Sequence, residues 1–108
     1  MARRPDARDA MREFMPKLVE LTDDPLFGDV WERPGLSKRD RSLIVITALT
    51  ALGKERQLVG HLNRALDNGL TVEEIKEAIT HLAFYSGWPT AMTAAQIFKD
   101  VLEKREDE

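Results

Sequence analysis

The chain has 108 residues, 43% hydrophobic and 32% charged, with a formal net charge of −3 and no cysteine. That length supports one hydrophobic core and not two, so residues 1–108 read as a single domain. Interspersed charge of both signs gives no footprint for nucleic acid, and the missing thiols exclude disulfides, thiol redox chemistry and thiolate metal sites together.

Every long segment carries the helical period, and none alternates with the period of two that marks a strand, so the fold class is all-α. The first dozen residues lean basic through Arg3, Arg4, Arg8 and Arg12, but Asp6 and Asp9 dilute them, and the stretch reads as a solvated helix face. No apolar core follows those arginines, as a secretory leader requires. A first helix is expected from about Asp6 to Leu21, with Met11, Phe14, Met15, Leu18 and Val19 on its buried side. Pro16 should kink or restart it. Asp23-Asp24-Pro25 opens a short segment holding Leu26, Phe27, Val30 and Trp31, which Pro34-Gly35 closes.

Ser37, with Asp40 behind it, has the pattern of an N-cap for a helix running to Leu52, where Gly53 stops it. From Leu43 to Leu52 apolar residues fall on all sides of that helix. Such a helix is surrounded by protein, and in a chain this small a second subunit is one way to surround it. Thr47 and Thr50 interrupt the run, which is too short to cross a bilayer. The expectation is a soluble, cytoplasmic protein.

The fourth helix spans about Lys54 to Asp67, and Asn68-Gly69 ends it. Thr71-Val72-Glu73-Glu74 is a capping box for a fifth helix, which carries Val72, Ile75, Ile79, Leu82 and Ala83 on one face. Phe84 and Tyr85 lie off that stripe, beside His81, and point to a second buried face. Gly87-Trp88-Pro89 breaks the chain, with Pro89 placed to begin a sixth helix that buries Ala91, Ala94, Ala95, Phe98, Val101 and Leu102. That helix ends in the solvated tail Glu103 to Glu108.

His61 is the first candidate for chemistry. With Leu58, Leu62, Ala65 and Leu66 it forms a 3.6-period stripe, so its imidazole points toward packed surface. A ring placed there either transfers protons in a dry pocket or hydrogen-bonds a backbone carbonyl as a core residue. The two histidines, His61 and His81, do not make a zinc spacing, and no metal or cofactor is expected.

The segment Trp31-Glu32-Arg33-Pro34-Gly35-Leu36-Ser37-Lys38-Arg39-Asp40-Arg41-Ser42-Leu43 resembles the start of the main helix in carboxymuconolactone decarboxylases. Ala48-Leu49-Thr50-Ala51-Leu52-Gly53, His61-Leu62, Ala65-Leu66-Asp67-Asn68-Gly69 and Tyr85-Ser86-Gly87-Trp88-Pro89-Thr90-Ala91 continue the resemblance in order, from about Phe27 to Val101. It implies an alkylhydroperoxidase D-like fold of about six helices, assembled as a homo-oligomer, a trimer or hexamer. One branch of that superfamily reduces peroxides with a Cys-x-x-Cys pair, a histidine and an upstream glutamate. Those positions here are Lys54, Gln57, His61 and Ser42. Thiol peroxidase chemistry needs a thiolate, and none is present.

The other branch converts 4-carboxymuconolactone to the 3-oxoadipate enol-lactone in aromatic catabolism, and Arg41-Ser42 matches its usual Arg-Ser pair. The chain departs from that branch at Thr90-Ala91-Met92-Thr93-Ala94, where pathway decarboxylases commonly read Ala-Ala-Asn-His-Ala. Thr93 therefore stands where a second histidine is expected, a departure that a paralogue with another substrate would show.

Loss of carbon dioxide from such a lactone leaves a dienolate that must be stabilised and reprotonated. By the resemblance, Arg41 clamps a substrate carboxylate, Ser42 donates to the oxyanion or orients His61, and His61 supplies the proton. Each residue also has a structural reading. Arg41 reads as an exposed ion pair, Ser42 as a small residue at a close helix contact, and His61 as a satisfied core residue. His81 fits an ordinary interface with Glu77 one turn earlier, and Tyr85 and Trp88 fit core or subunit contacts. Lys54-Glu55-Arg56 reads as a solvated first turn, from which Glu55 can reach toward the pocket of His61. The expected partners are further copies of the chain and a small carboxylated substrate. The alternative is a non-catalytic helical oligomer that binds a small ligand or partner.

Overall fold

The computed structural model describes residues 6–107, so Arg3, Arg4 and Glu108 lie outside the described residues. The described residues are helical with intervening turns, and none is in a strand. The chain divides into two compact units between Lys38 and Arg39.

The first unit is a series of short turns. Asp6 caps α1, Ala7–Met11, through a capping box closed by Asp9. The chain then restarts at Pro16, which stands in the first turn of α2, Pro16–Leu21. Proline is tolerated there because that N–H has no helical acceptor in any case. A π-helical turn follows over Thr22–Phe27 with Pro25 inside it, and a 3-10 turn over Val30–Glu32 completes the unit.

The long first helix expected from Asp6 to Leu21 is therefore two short ones. Of its expected buried stripe only Val19 is buried, whereas Met11, Phe14, Met15 and Leu18 are exposed. A helix of one or two turns is too short to present a continuous apolar face, so the period in the sequence outlasts the structure that would use it.

What orders this unit is charge and aromatic contact. The Asp23 carboxylate accepts from Arg8 Nη1 and Arg12 Nη1, each at 2.8 Å. The Arg8 guanidinium lies 4.4 Å from the centroid of the Phe27 ring, and Phe27 stacks on the buried Trp31 at 5.6 Å.

The second unit is made of long helices. α3, Lys38–Leu52, begins one residue after Ser37, and α4 spans Glu55–Asp67. Gly53 and Gly69 end these helices with positive φ, where the left-handed backbone strains any residue with a Cβ. The N–H groups of Gly53 and Lys54 return to the carbonyls of Thr50 and Leu49. Those of Gly69 and Leu70 return to Leu66 and Ala65, and Leu70 is buried as the turn folds it inward.

The Thr71 hydroxyl accepts from Glu74 N at 3.0 Å and the Glu74 carboxylate accepts from Thr71 N at 2.9 Å, which starts α5, Val72–Ser86. Pro89 stands in the first turn of α6, Trp88–Glu106. Leu58, Leu62 and Ala65 of α4, Ile75, Ile79 and Ala83 of α5, and Ala91, Ala94, Phe98 and Val101 of α6 form the core with Ile46 of α3. Ala95, expected inside, is exposed, and Leu102 packs at the edge of the core. Arg105 at the end of α6 donates to Asn63 and Asp67, fastening that end to α4. Arg39 pairs with Glu74 across α3 and α5.

The apolar surface expected on α3 and α5 is present. In the single chain only Ser42, Ile46 and Thr50 of α3 are buried, and Ile44 and Leu52 face outward. Phe84, Tyr85, Trp88 and Met92 are exposed as well. No helix among the described residues is long and apolar enough to cross a membrane.

Candidate functional site

Ser42, Ile46 and Thr50 are spaced by four residues, so they form one inward stripe on α3. Two of the three are hydroxyl residues in an otherwise apolar helix. A buried hydroxyl without a hydrogen bond is destabilising, so where each one points is informative.

Ser42 is 1% exposed, and its Oγ accepts from Asn68 Nδ2 at 2.9 Å. Asn68 is the C-cap of α4. The bond therefore ties the last turn of α4 to the first turns of α3. It leaves the Ser42 proton able to donate in turn. Sequence reasoning had assigned Asn68 only to a helix stop. The pairing has no local signal, because the partners are 26 residues apart.

Arg41 and His61 are half-buried, with Arg41 Nε and His61 Nδ1 shielded from solvent. Arg64, one turn after His61, likewise has a buried Nε. Each of the three is engaged with neighbouring groups. His61 thus lies at the edge of the α4 core stripe formed by Leu58, Leu62 and Ala65.

His81 is exposed and packs its ring 5.1 Å from that of Tyr85, while Phe84 meets Trp88 edge-on at 5.4 Å. These aromatics lie on the surface of the single chain.

A cavity of about 130 Å³ opens where the end of α3 meets the first turns of α4 and α6. Leu49, Thr50, Glu55, Leu58, Thr90 and Thr93 are among the residues that line it. Arg41, Ser42 and His61 are not in its lining. Glu55, Thr90 and Thr93 line this cavity, which is not the one expected around His61. A second, larger groove of about 460 Å³ lies between α5 and α6, with Lys76, Ile79, Phe98 and Lys99 among its lining residues. No cluster of potential metal ligands occurs among the described residues.

Comparison with known proteins gives a consistent set of relatives. A model described as the carboxymuconolactone decarboxylase family matches residues 16–100. The chain is 43% identical over 79 residues to a 4-carboxymuconolactone decarboxylase of Acinetobacter baylyi, a match covering 69% of this chain and 59% of that protein. It is 34% identical over 91 residues to a nitrosuccinic acid decarboxylase of Metarhizium robertsii, covering 81% of this chain and 64% of that one. An uncharacterized 15.0 kDa protein from the nqo9-nqo10 intergenic region of Paracoccus denitrificans is 31% identical over 92% of the chain. The matches thus span about six-tenths of the length of the two decarboxylases.

Proposed function

The chain belongs to the carboxymuconolactone decarboxylase family, and on that premise we propose that it is a cofactor-independent decarboxylase of a small carboxylated substrate. The observation that carries the reading is the likeness to two relatives named as decarboxylases, over 69% and 81% of the chain. The substrate of this reading is 4-carboxymuconolactone, or a related acid handled by a paralogue in aromatic catabolism. A cytoplasmic location belongs to the same reading. The absence of cysteine removes the thiol peroxidase chemistry of the wider superfamily.

A substrate of this kind carries its own electron sink. When the carboxylate leaves, the electron pair of the broken carbon–carbon bond moves into the adjacent carbonyl system as a dienolate. The protein then has three tasks: to hold a carboxylate, to stabilise the oxyanion and to return a proton to carbon. In the proposed assignment the Arg41 guanidinium holds a carboxylate with paired donors. Ser42, which accepts from Asn68, keeps its own proton to donate to the oxyanion. His61 supplies the proton to carbon.

The proposed working form is a homo-oligomer, a trimer or hexamer. Ile44, Leu52, Phe84, Tyr85, Trp88 and Met92 are more than half exposed in the single chain, more apolar surface than a small soluble subunit usually leaves open. Light scattering should give a mass several times that of the chain, and a stable monomer at micromolar concentration defeats this part.

The His61→Gln variant tests the chemistry. A proton donor predicts that the thermal midpoint is nearly unchanged and turnover of 4-carboxymuconolactone falls on the order of a hundredfold or more. A core histidine predicts the reverse: a loss of roughly 1–3 kcal/mol in stability, with activity preserved at low temperature. If the unaltered protein turns over neither this lactone nor nitrosuccinic acid, the non-catalytic ligand-binding reading takes its place.

A further inference from the structure

Asn68 has a side chain that its place in the helix does not explain. At φ −87° and ψ 3° its backbone lies outside the left-handed region, and Gly69, with φ 105°, takes the turn that follows. The tolerance of asparagine for a left-handed backbone is therefore not used here. Its backbone N–H already returns to the carbonyls of Arg64 and Leu66. The side chain instead leaves the end of α4 and crosses to α3, where Nδ2 donates to Ser42 Oγ at 2.9 Å.

The direction of that bond has a consequence for Ser42. A serine hydroxyl has one hydrogen to give and two lone pairs that accept. Ser42 is 1% exposed, so its neighbours rather than bulk water set where the hydrogen points. With an amide N–H entering one lone pair, the hydrogen has to point away from Asn68. An acceptor at position 68 would reverse the bond and draw the hydrogen to the end of α4. Hydroxyls elsewhere on the helices give theirs to the backbone, as Thr47 does to Ile44 O and Thr80 to Lys76 O. Asn68 is the hydrogen-bond partner that the described residues offer Ser42 Oγ, so no carbonyl of α3 takes that hydrogen.

We infer that Asn68 is a positioning residue, an obligate donor that fixes the polarity of the Ser42 hydroxyl and keeps its hydrogen for a ligand oxygen. The inference rests on the decarboxylase reading, in which Ser42 donates to the oxyanion, and Asn68 acts through Ser42 without touching the substrate. A tie that merely holds α4 to α3 has no such preference, because either polarity of the bond joins the helices equally well.

Asn68→Asp separates the two roles. It keeps the size of the side chain and a hydrogen bond to Ser42, but a carboxylate accepts where the amide donates. The kcat for 4-carboxymuconolactone should fall about a hundredfold, the scale of a lost oxyanion donor, with KM nearly unchanged. Asn68→Ala, which frees the hydroxyl without competing for its hydrogen, should lose less, about tenfold. Combined with Ser42→Ala, either change should cost nothing further in kcat, since Asn68 acts through that hydroxyl. If Asn68→Asp fails to fold, Asn68→Ala in the same double-variant cycle takes its place. Full kcat in Asn68→Asp overturns the inference, as do losses that multiply in the double variant.

The side-chain amide of Asn68 gives a readout that does not depend on turnover. In the unaltered chain its NMR signals should exchange slowly with solvent, and Ser42→Ala should shift them and speed the exchange. An amide indifferent to Ser42→Ala overturns the inference whatever the activity. A responsive amide in a chain that turns over neither 4-carboxymuconolactone nor nitrosuccinic acid defeats the decarboxylase reading and leaves the polarity of the bond standing.

Discussion

Among the described residues up to Lys38, Val19 and Trp31 are the buried apolar side chains, and order comes from Asp23 held by two arginines and from Phe27 between Arg8 and Trp31. From Arg39 onward, four long helices enclose Leu58, Leu62, Ile75, Phe98 and their neighbours in one core. The first unit is therefore held by interactions that water and salt compete with, and the second by area removed from water. Both have similar apolar periodicity in the sequence. Helix length makes the difference, since an apolar stripe needs several turns before it can cover another surface.

The sharpest way to break this comparison is to truncate one aromatic in each unit. Phe98→Ala in the core should cost about 3–5 kcal/mol in denaturant unfolding, whereas Phe14→Ala at an exposed position should stay within about 0.5 kcal/mol. A comparable loss from Phe14→Ala would mean that its face is covered in solution.

The helix ends should rank next. Thr71→Ala removes one half of the reciprocal cap on α5 and should cost about 1 kcal/mol of global stability. Asp6→Ala removes the equivalent cap on α1. Because that helix has five residues and no buried side chain, the change should alter hydrogen exchange locally and leave the global midpoint in place. A matching shift of the global midpoint would show that the first unit folds with the second.

Salt should separate the units more gently. At about 1 M salt the Debye length is near 3 Å, and the pairing of Asp23 with Arg8 and Arg12 should weaken. With Trp88→Phe as background, Trp31 fluorescence should change with salt while the unfolding midpoint of the core does not fall. A Trp31 signal indifferent to salt would argue that stacking on Phe27 suffices.

Acid should have the smallest effect near neutrality and act on both units. Hydrogen bonding from Arg12, then from Arg8, holds Asp23 below its ordinary value of 3.8. The backbone N–H of Thr71, with its hydroxyl and Arg39 following, holds Glu74 below 4.5. Each contributes stability that is fully present above the ordinary value and lost as pH falls through the lower value of the folded chain. Glu74→Gln should flatten the acid limb of global unfolding, and Asp23→Asn should flatten the acid response of Trp31 alone.

Most of the helical plan was legible from residues close together in sequence. Pro16, Gly53, Asn68-Gly69, the Thr71–Glu74 box and Pro89 mark helix ends because each acts through backbone groups within a few residues. The inward faces of α4, α5 and α6 followed from their period. The burial of Met11, Phe14, Met15 and Leu18 was misread because periodicity says nothing about where a short helix stops for want of packing.

The candidate site was legible only in part. Arg41, Ser42 and His61 stood out by residue type and resemblance. Thr50 drew notice only as a break in an apolar run. Its spacing of eight residues from Ser42 was a usable signal, since a second hydroxyl on the same stripe has to face the interior as well.

Sequence by itself determined what local forces decide: the helix boundaries, their caps, the amphipathic faces and the absence of thiol chemistry. Caps and periods are read within one or two turns, so no distant residue is needed to specify them. Only the tertiary structure decided that Ser42 meets Asn68 and that Thr50, Glu55 and Thr93 share one small cavity. Those meetings depend on how α3, α4 and α6 pack, and packing is set by the fit of whole helix faces rather than by any segment alone.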